Sequence, residues 1–197
     1  MPKKDFTEII CVIDRSGSME MIREDAIGGF NAFLEDQKEI PGEATMTYTQ
    51  FDTEYEIIHD NKPLSEVPPL DATTYVPRGA TALLDAIGRT MNEVGARLAE
   101  TPEEERPEKV MFIILTDGEE NSSMEFTREQ IMEMIKTQEE DYSWEFLYLA
   151  ADQAGIQAGL DLGIKLDKTM AYTATKAGIK TAYTNLSQRT TAFRNQK

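Results

Sequence analysis

Residues 6–19, FTEIICVIDRSGSM, decide the reading of this chain. The first nine are almost continuously apolar and rich in isoleucine and valine. That composition marks a strand buried on both faces, as in a parallel sheet. The run stops abruptly at Asp14 and then places Ser16 and Ser18 in one turn. A turn needs only some of these residues, whereas a hard metal ion would use all three side-chain oxygens. The theme returns at residues 110–118, VMFIILTDG, a second wholly apolar run that ends at an acid, Asp117.

Between and beyond these runs, strand patterns alternate with helical ones. Residues 19–37 carry Ile22, Ala26, Phe30, Phe33 and Leu34 on one helical stripe. Gly28 and Gly29 either weaken that helix or permit close packing. Two shorter strands follow, ATMTYTQFD and YEIIHD, with a tight turn near Asp52 and Thr53. A loop of about twenty residues, 61–80, comes next, with four prolines; loops this long are often functional. Residues 81–99 form a helix stepping through Leu84, Ile87, Met91, Val94 and Leu98. Thr127 and Gln130 read as a capping box for a helix that carries Ile131, Met134 and Ile135. WEFLYLA is a further strand, residues 152–163 a short helix, KTMAYTA an edge strand, and residues 176–194 the last helix. The alternation predicts an α/β fold: a doubly wound, mostly parallel β-sheet with helices on both faces. A chain of 197 residues suits one domain, with a core over residues 6–193.

Composition narrows the function. No apolar run reaches the ~20 residues that span a bilayer, and residues 1–14 do not form a secretory leader. A lone cysteine makes no internal disulfide, so the expected setting is the cytoplasm. Acids outnumber bases 36 to 20, a net charge of -16, which repels nucleic acid. From Lys168 onward there are six bases and no acid. Spread along a helix, they are expected to offset the acidic body.

Ligands of open α/β sheets bind at the carboxyl ends of strands, near the point where strand order reverses. If the strands ending at Asp14 and Asp117 are neighbours, both acids face one crevice, and Thr81 approaches from the end of the long loop. Each signal has a plain alternative. Ser18 or Thr81 would serve as a helix N-cap, and Asp117 as a turn residue accepting backbone bonds. Together they supply two carboxylates and neutral hydroxyls, an oxygen set suited to magnesium, with manganese or calcium as alternatives. Neutral hydroxyls leave the ion electrophilic, so that it would accept a carboxylate from outside the protein. Cys11 reads as a core residue and His59 as a surface one. Core packing accounts for most of the methionines near helix starts and stripes, with Met19, Met21 and Met124 as candidates for the rim of the crevice. Glu119, Glu120 and Asn121 are read either as a solvated loop or as support for the site or contact with a partner.

Asp14-x-Ser16-x-Ser18, Thr81 within GATALLDAIG and Asp117 within ILTDGEEN resemble, in order and spacing, the metal-ion-dependent adhesion site of von Willebrand factor A domains. The resemblance runs from about residue 6 to 193. It implies a doubly wound sheet with the metal at its top. It also implies a protein-binding module of the bacterial or phage intracellular type, in which the ion bridges to an acidic residue of a partner. Some members of that family work beside AAA+ ATPases. A monomer that binds neither nucleic acid nor membrane is expected. The alternatives are a magnesium-dependent phosphatase or other phosphoryl-transfer enzyme, and a structural component of a larger assembly. The enzyme reading lacks parts. The position two residues past Asp14, where an aspartyl nucleophile would have an acid, is Ser16. No G-x-S-x-G elbow or Gly-rich phosphate loop is present.

Overall fold

The computed structural model describes residues 1–117 and 119–196. Among the described residues, six strands form one sheet in the order β3-β2-β1-β4-β5-β6. They are β1 (Lys3–Asp14), β2 (Glu43–Phe51), β3 (Tyr55–Pro63), β4 (Pro107–Thr116), β5 (Glu145–Ala150) and β6 (Thr169–Ala171). All neighbours pair in parallel except β2 and β3, which form a hairpin. The α-helices α1 (Arg23–Lys38), α2 (Leu83–Glu100), α3 (Arg128–Tyr142), α4 (Gln153–Asp161) and α5 (Lys176–Arg194) cover the two faces.

Strand order explains the apolar runs. β1 and β4 lie at the centre, each between two parallel neighbours, so both faces of each are covered. Along β1, Ile9, Cys11 and Ile13 face one cluster with α1 and α5; Ile10 and Val12 face the other, with α2 and α3. The winding runs outward from β1 through β2 and from β4 through β5. The reversal therefore lies between β1 and β4, where an open α/β sheet leaves its crevice.

Three details depart from or sharpen the sequence reading. First, the helix expected over residues 19–37 is split: Gly17–Ile22 wind as a 3₁₀ turn and α1 begins at Arg23. Second, β3 runs on to Pro63, past two irregularities in register, so the following loop is shorter than expected. That loop is not loosely solvated, because Leu64, Val67, Leu70 and Tyr75 are buried in the core. Third, the two helical glycines separate in role. A Cβ on Gly29 would lie 2.2 Å from the ring of Tyr183 on α5, whereas Gly28 has open space.

The capping box at Thr127 and Gln130 forms as the sequence predicts. Some of the late bases pair with the acidic body, Lys168 with Glu145 and Lys176 with Asp25. Among the described residues, no helix is long and apolar enough to cross a membrane.

Candidate metal centre

Asp14 is the last residue of β1, and β4 ends beside it at Thr116, so Asp117 starts the neighbouring loop. Two buried tyrosines hold the strand tips: Tyr75 donates to the Asp14 carbonyl at 2.6 Å, and Tyr172 to the Thr116 carbonyl at 3.2 Å. The Asp14 carboxylate accepts from the Ser16 amide at 2.6 Å and from the Thr116 hydroxyl at 2.6 Å. The Ser16 and Ser18 hydroxyls are 3.1 Å apart, and Ser18 donates to Asp117 at 2.7 Å. Four of the five predicted oxygen groups thus form one hydrogen-bonded cluster at the sheet's upper edge.

Thr81 reaches the same edge through its backbone. The Gly17 amide donates to Gly79, and the Ala82 amide to the Asp52 carbonyl. From the loop after β4, Asn121 brackets Thr81, accepting from its amide at 2.9 Å and donating its own amide to the Thr81 carbonyl at 3.0 Å. Thr81 is not the helix cap. Ala82 occupies that position of α2 without a side-chain capping bond. The free amides of the helix are taken instead by the 119–126 loop: Leu84 donates to Glu120, and Asp85 to the Ser123 hydroxyl. Asp85 in turn accepts from the amides of Met124, Glu125 and Phe126.

The rim differs from the sequence expectation. Met19 is fully buried, because the 3₁₀ turn rotates it inward against Ile22 and the core, and it offers no surface to a partner. Met21 and Met124 are almost fully exposed. Glu120 turns its carboxylate to the amides of Leu84, Ser122 and Ser123, so it braces the loop and is not free to meet a partner. Glu119 and Asn121 remain exposed. Gly118 lies outside the described residues.

The electrostatics favour a cation. Burial pushes the Asp14 carboxyl up to about 6, against the hydrogen bonds from Thr116 and Ser16. Burial likewise raises Asp117, opposed by its bond from Ser18. Among the described residues no basic side chain forms an ion pair with either acid; Arg15, between Asp14 and Ser16, turns away to Asp52 and Glu56. A buried carboxylate, Asp14, beside a half-buried one, Asp117, with no ion-paired base among the described residues, is costly unless neutralised. A divalent ion held by Asp14, Ser16, Ser18, Thr81 and Asp117 would supply that charge, and an all-oxygen donor set fits a hard cation. Among the described residues no cluster of three or more His, Cys, Asp or Glu could hold a metal, so the hydroxyls are essential to the fit.

Sequence reasoning missed Asp52, Arg78, Tyr75 and Asp85, which build the walls of the site. Only Asp52 had a local signal, as a turn residue.

No protein-family model and no curated protein matches the sequence. Solved structures match by fold. The vWF domain of the type V pili tip protein Mfa5 from Porphyromonas gingivalis has a TM-score of 0.69 at 12% identity, covering 97% of each chain. The pilus adhesin SpaC from Lactobacillus rhamnosus GG, in an open conformation, has a TM-score of 0.68 at 15% identity, over 95% of this chain and 30% of that one. Proximal thread matrix protein 1 from the mussel byssus, in a form with a zinc-occupied MIDAS motif, has a TM-score of 0.62 at 13% identity, over 94% of this chain and 46% of that one. The chain therefore spans less than half the length of the last two. At these identities the likeness is one of architecture: the chain has the fold of the von Willebrand factor A domain.

Proposed function

We propose that this protein is a metal-dependent protein-binding module. Asp14, Ser16, Ser18, Thr81 and Asp117 hold one divalent ion, with magnesium expected and manganese or calcium as alternatives. When bound, the ion supplies an electrophilic position for a carboxylate of a protein partner. Asn121 holds Thr81 in place, and Ser18 keeps Asp117 toward the β1 tip. The observation that carries this reading is the meeting of the buried Asp14 carboxylate and the half-buried Asp117 carboxylate at neighbouring strand ends, joined through the Ser16 amide and the Ser16 and Ser18 hydroxyls and without an ion-paired base among the described residues. The mussel structure with a zinc-occupied motif supports a divalent ion in a site of this kind. A partner that belongs to a larger assembly, such as one containing an AAA+ ATPase, and a cytoplasmic setting are part of the same proposal.

Calorimetry on metal-stripped protein tests the reading. One magnesium or manganese ion per chain is expected, lost in Asp14→Asn. In that variant the amide oxygen can still accept from Ser16, so the fold persists. Tight zinc binding without a magnesium response would refute the hard-cation assignment. Magnesium-dependent turnover of a generic phosphate ester, abolished by Asp14→Asn, would replace the binding module with an enzyme.

A further inference from the structure

Asp52 follows the last residue of β2 and is almost completely buried. Its Oδ2 accepts hydrogen bonds from Arg15 Nε at 2.7 Å and Arg78 Nε at 3.0 Å. Its Oδ1 accepts from the Glu54 amide at 2.7 Å, and its backbone carbonyl from the Ala82 amide at 3.0 Å. One residue thus grips the chain between Asp14 and Ser16 and, at the same time, the chain on both sides of Thr81. Backbone bonds close the junction: the Arg78 amide donates to the Arg15 carbonyl at 2.8 Å, and the Gly17 amide to the Gly79 carbonyl at 3.2 Å. The seat is tight. Gly79 has φ +67, and a Cβ there would lie 2.5 Å from Thr53 Oγ1.

We propose that Asp52 is a positioning residue of the metal centre, presetting the separation between the 14–18 turn and Thr81 before an ion arrives. This rests on the metal-centre reading above. The carboxylate is placed to act through Arg15 and Arg78, while the backbone carbonyl holds Ala82. An amide in its place has one acceptor oxygen where three side-chain and backbone donors converge, and it leaves both guanidinium groups without their shared charge. The two loops would then have to be ordered at the moment of metal binding, as far as the ion's coordination demands, and affinity would fall most for the ion with the strictest geometry.

The test is Asp52→Asn, followed by calorimetry with magnesium and with calcium and by hydrogen exchange of residues 14–18 and 78–82 in metal-free protein. Magnesium demands near-ideal octahedral geometry and calcium tolerates distortion, so magnesium affinity should fall at least about tenfold and calcium affinity distinctly less. Exchange should rise in both segments. Unchanged magnesium affinity overturns the proposal. Equal loss of both ions overturns it too, because it assigns the effect to lost charge and not to geometry. Arg78→Gln, at a half-exposed position, covers the case of an unfolded Asp52 variant. It should weaken magnesium about threefold or more by releasing one arm of the grip, and an unchanged affinity there also counts against the proposal. If wild-type protein binds neither ion, the metal-centre reading fails, and this inference with it; if wild type binds and the variants match it, only this inference fails.

Discussion

The Ser18 hydroxyl donates a 2.7 Å hydrogen bond to the Asp117 carboxylate, joining two residues that lie 99 apart in sequence. The bond links the turn after β1 to the loop after β4 across the point where strand order reverses. Because Ser18 is exposed, Ser18→Ala should leave the melting temperature of metal-free protein nearly unchanged. It removes one ligand oxygen and the hydrogen bond that orients Asp117, so magnesium affinity should drop about tenfold, roughly 1.4 kcal/mol. Calorimetry beside a thermal melt checks both parts. A large loss of stability with metal binding intact would make Ser18 a structural link and not a ligand.

Glu8 sits in the middle of β1, fully buried beside Thr47 and Arg97. Burial raises its carboxyl above the ordinary value, although Arg97 pulls the other way. The folded state therefore holds this proton more tightly than the unfolded state does. The resulting stability is complete below the unfolded value of about 4.3 and is lost as pH rises through the higher folded value. Glu8→Gln carries no such proton. Urea titrations at several pH values starting near 4 should show a flatter fall of stability with pH in the variant; parallel curves would remove Glu8 as the source.

The contrast between Gly28 and Gly29 tests how α1 meets α5. Gly28 is exposed, with open space where a Cβ would sit, so Gly28→Ala should stabilise the protein by about 0.5–1 kcal/mol. At Gly29 the added methyl would collide with the Tyr183 ring, and Gly29→Ala should destabilise by about 1–3 kcal/mol. Equal effects in thermal melts would mean that the two helices adjust freely at this contact.

Local pattern reveals some of this and hides the rest for definite reasons. Asp14 and Asp117 were legible because an apolar run that ends in an acid marks both a central strand and its tip. The parallel sheet followed from the same runs. Met19 stayed open between core and rim because helical spacing does not register the 3₁₀ turn that swings its side chain inward. The extension of β3 to Pro63 was hidden because KP at an exposed edge looks like loop. Asp52 was legible as a turn and not as a hub: its arginine partners lie 37 and 26 residues away, and only the folded sheet brings them together. Glu120 stayed open between a solvated acid and a support of the site for the same reason, since the helix end that it braces is in another segment.

Thr81 and Glu120 divide two roles that the sequence assigned to one residue. Ala82 fills the N-cap position of α2 without a side-chain bond, and Glu120 accepts from the amides of Leu84, Ser122 and Ser123 and from the Ser123 hydroxyl. Glu120→Ala strips acceptors from four donors and should cost about 1–3 kcal/mol of stability. Thr81→Ala removes one hydroxyl and one methyl from a position that caps nothing, so its stability cost should stay within about 1 kcal/mol. If Thr81 engages the ion chiefly when a partner carboxylate is bound, its interaction differs between the two states, and such a difference is what biases an equilibrium. The variant should then retain most of its magnesium affinity and lose at least about tenfold in partner affinity, roughly 1.4 kcal/mol. Affinity capture with and without chelator identifies the metal-dependent partner, and titrating that partner against both variants completes the comparison. Wild-type partner affinity in Thr81→Ala would remove the threonine from the site, and a Thr81→Ala melt as depressed as that of Glu120→Ala would return it to a structural role.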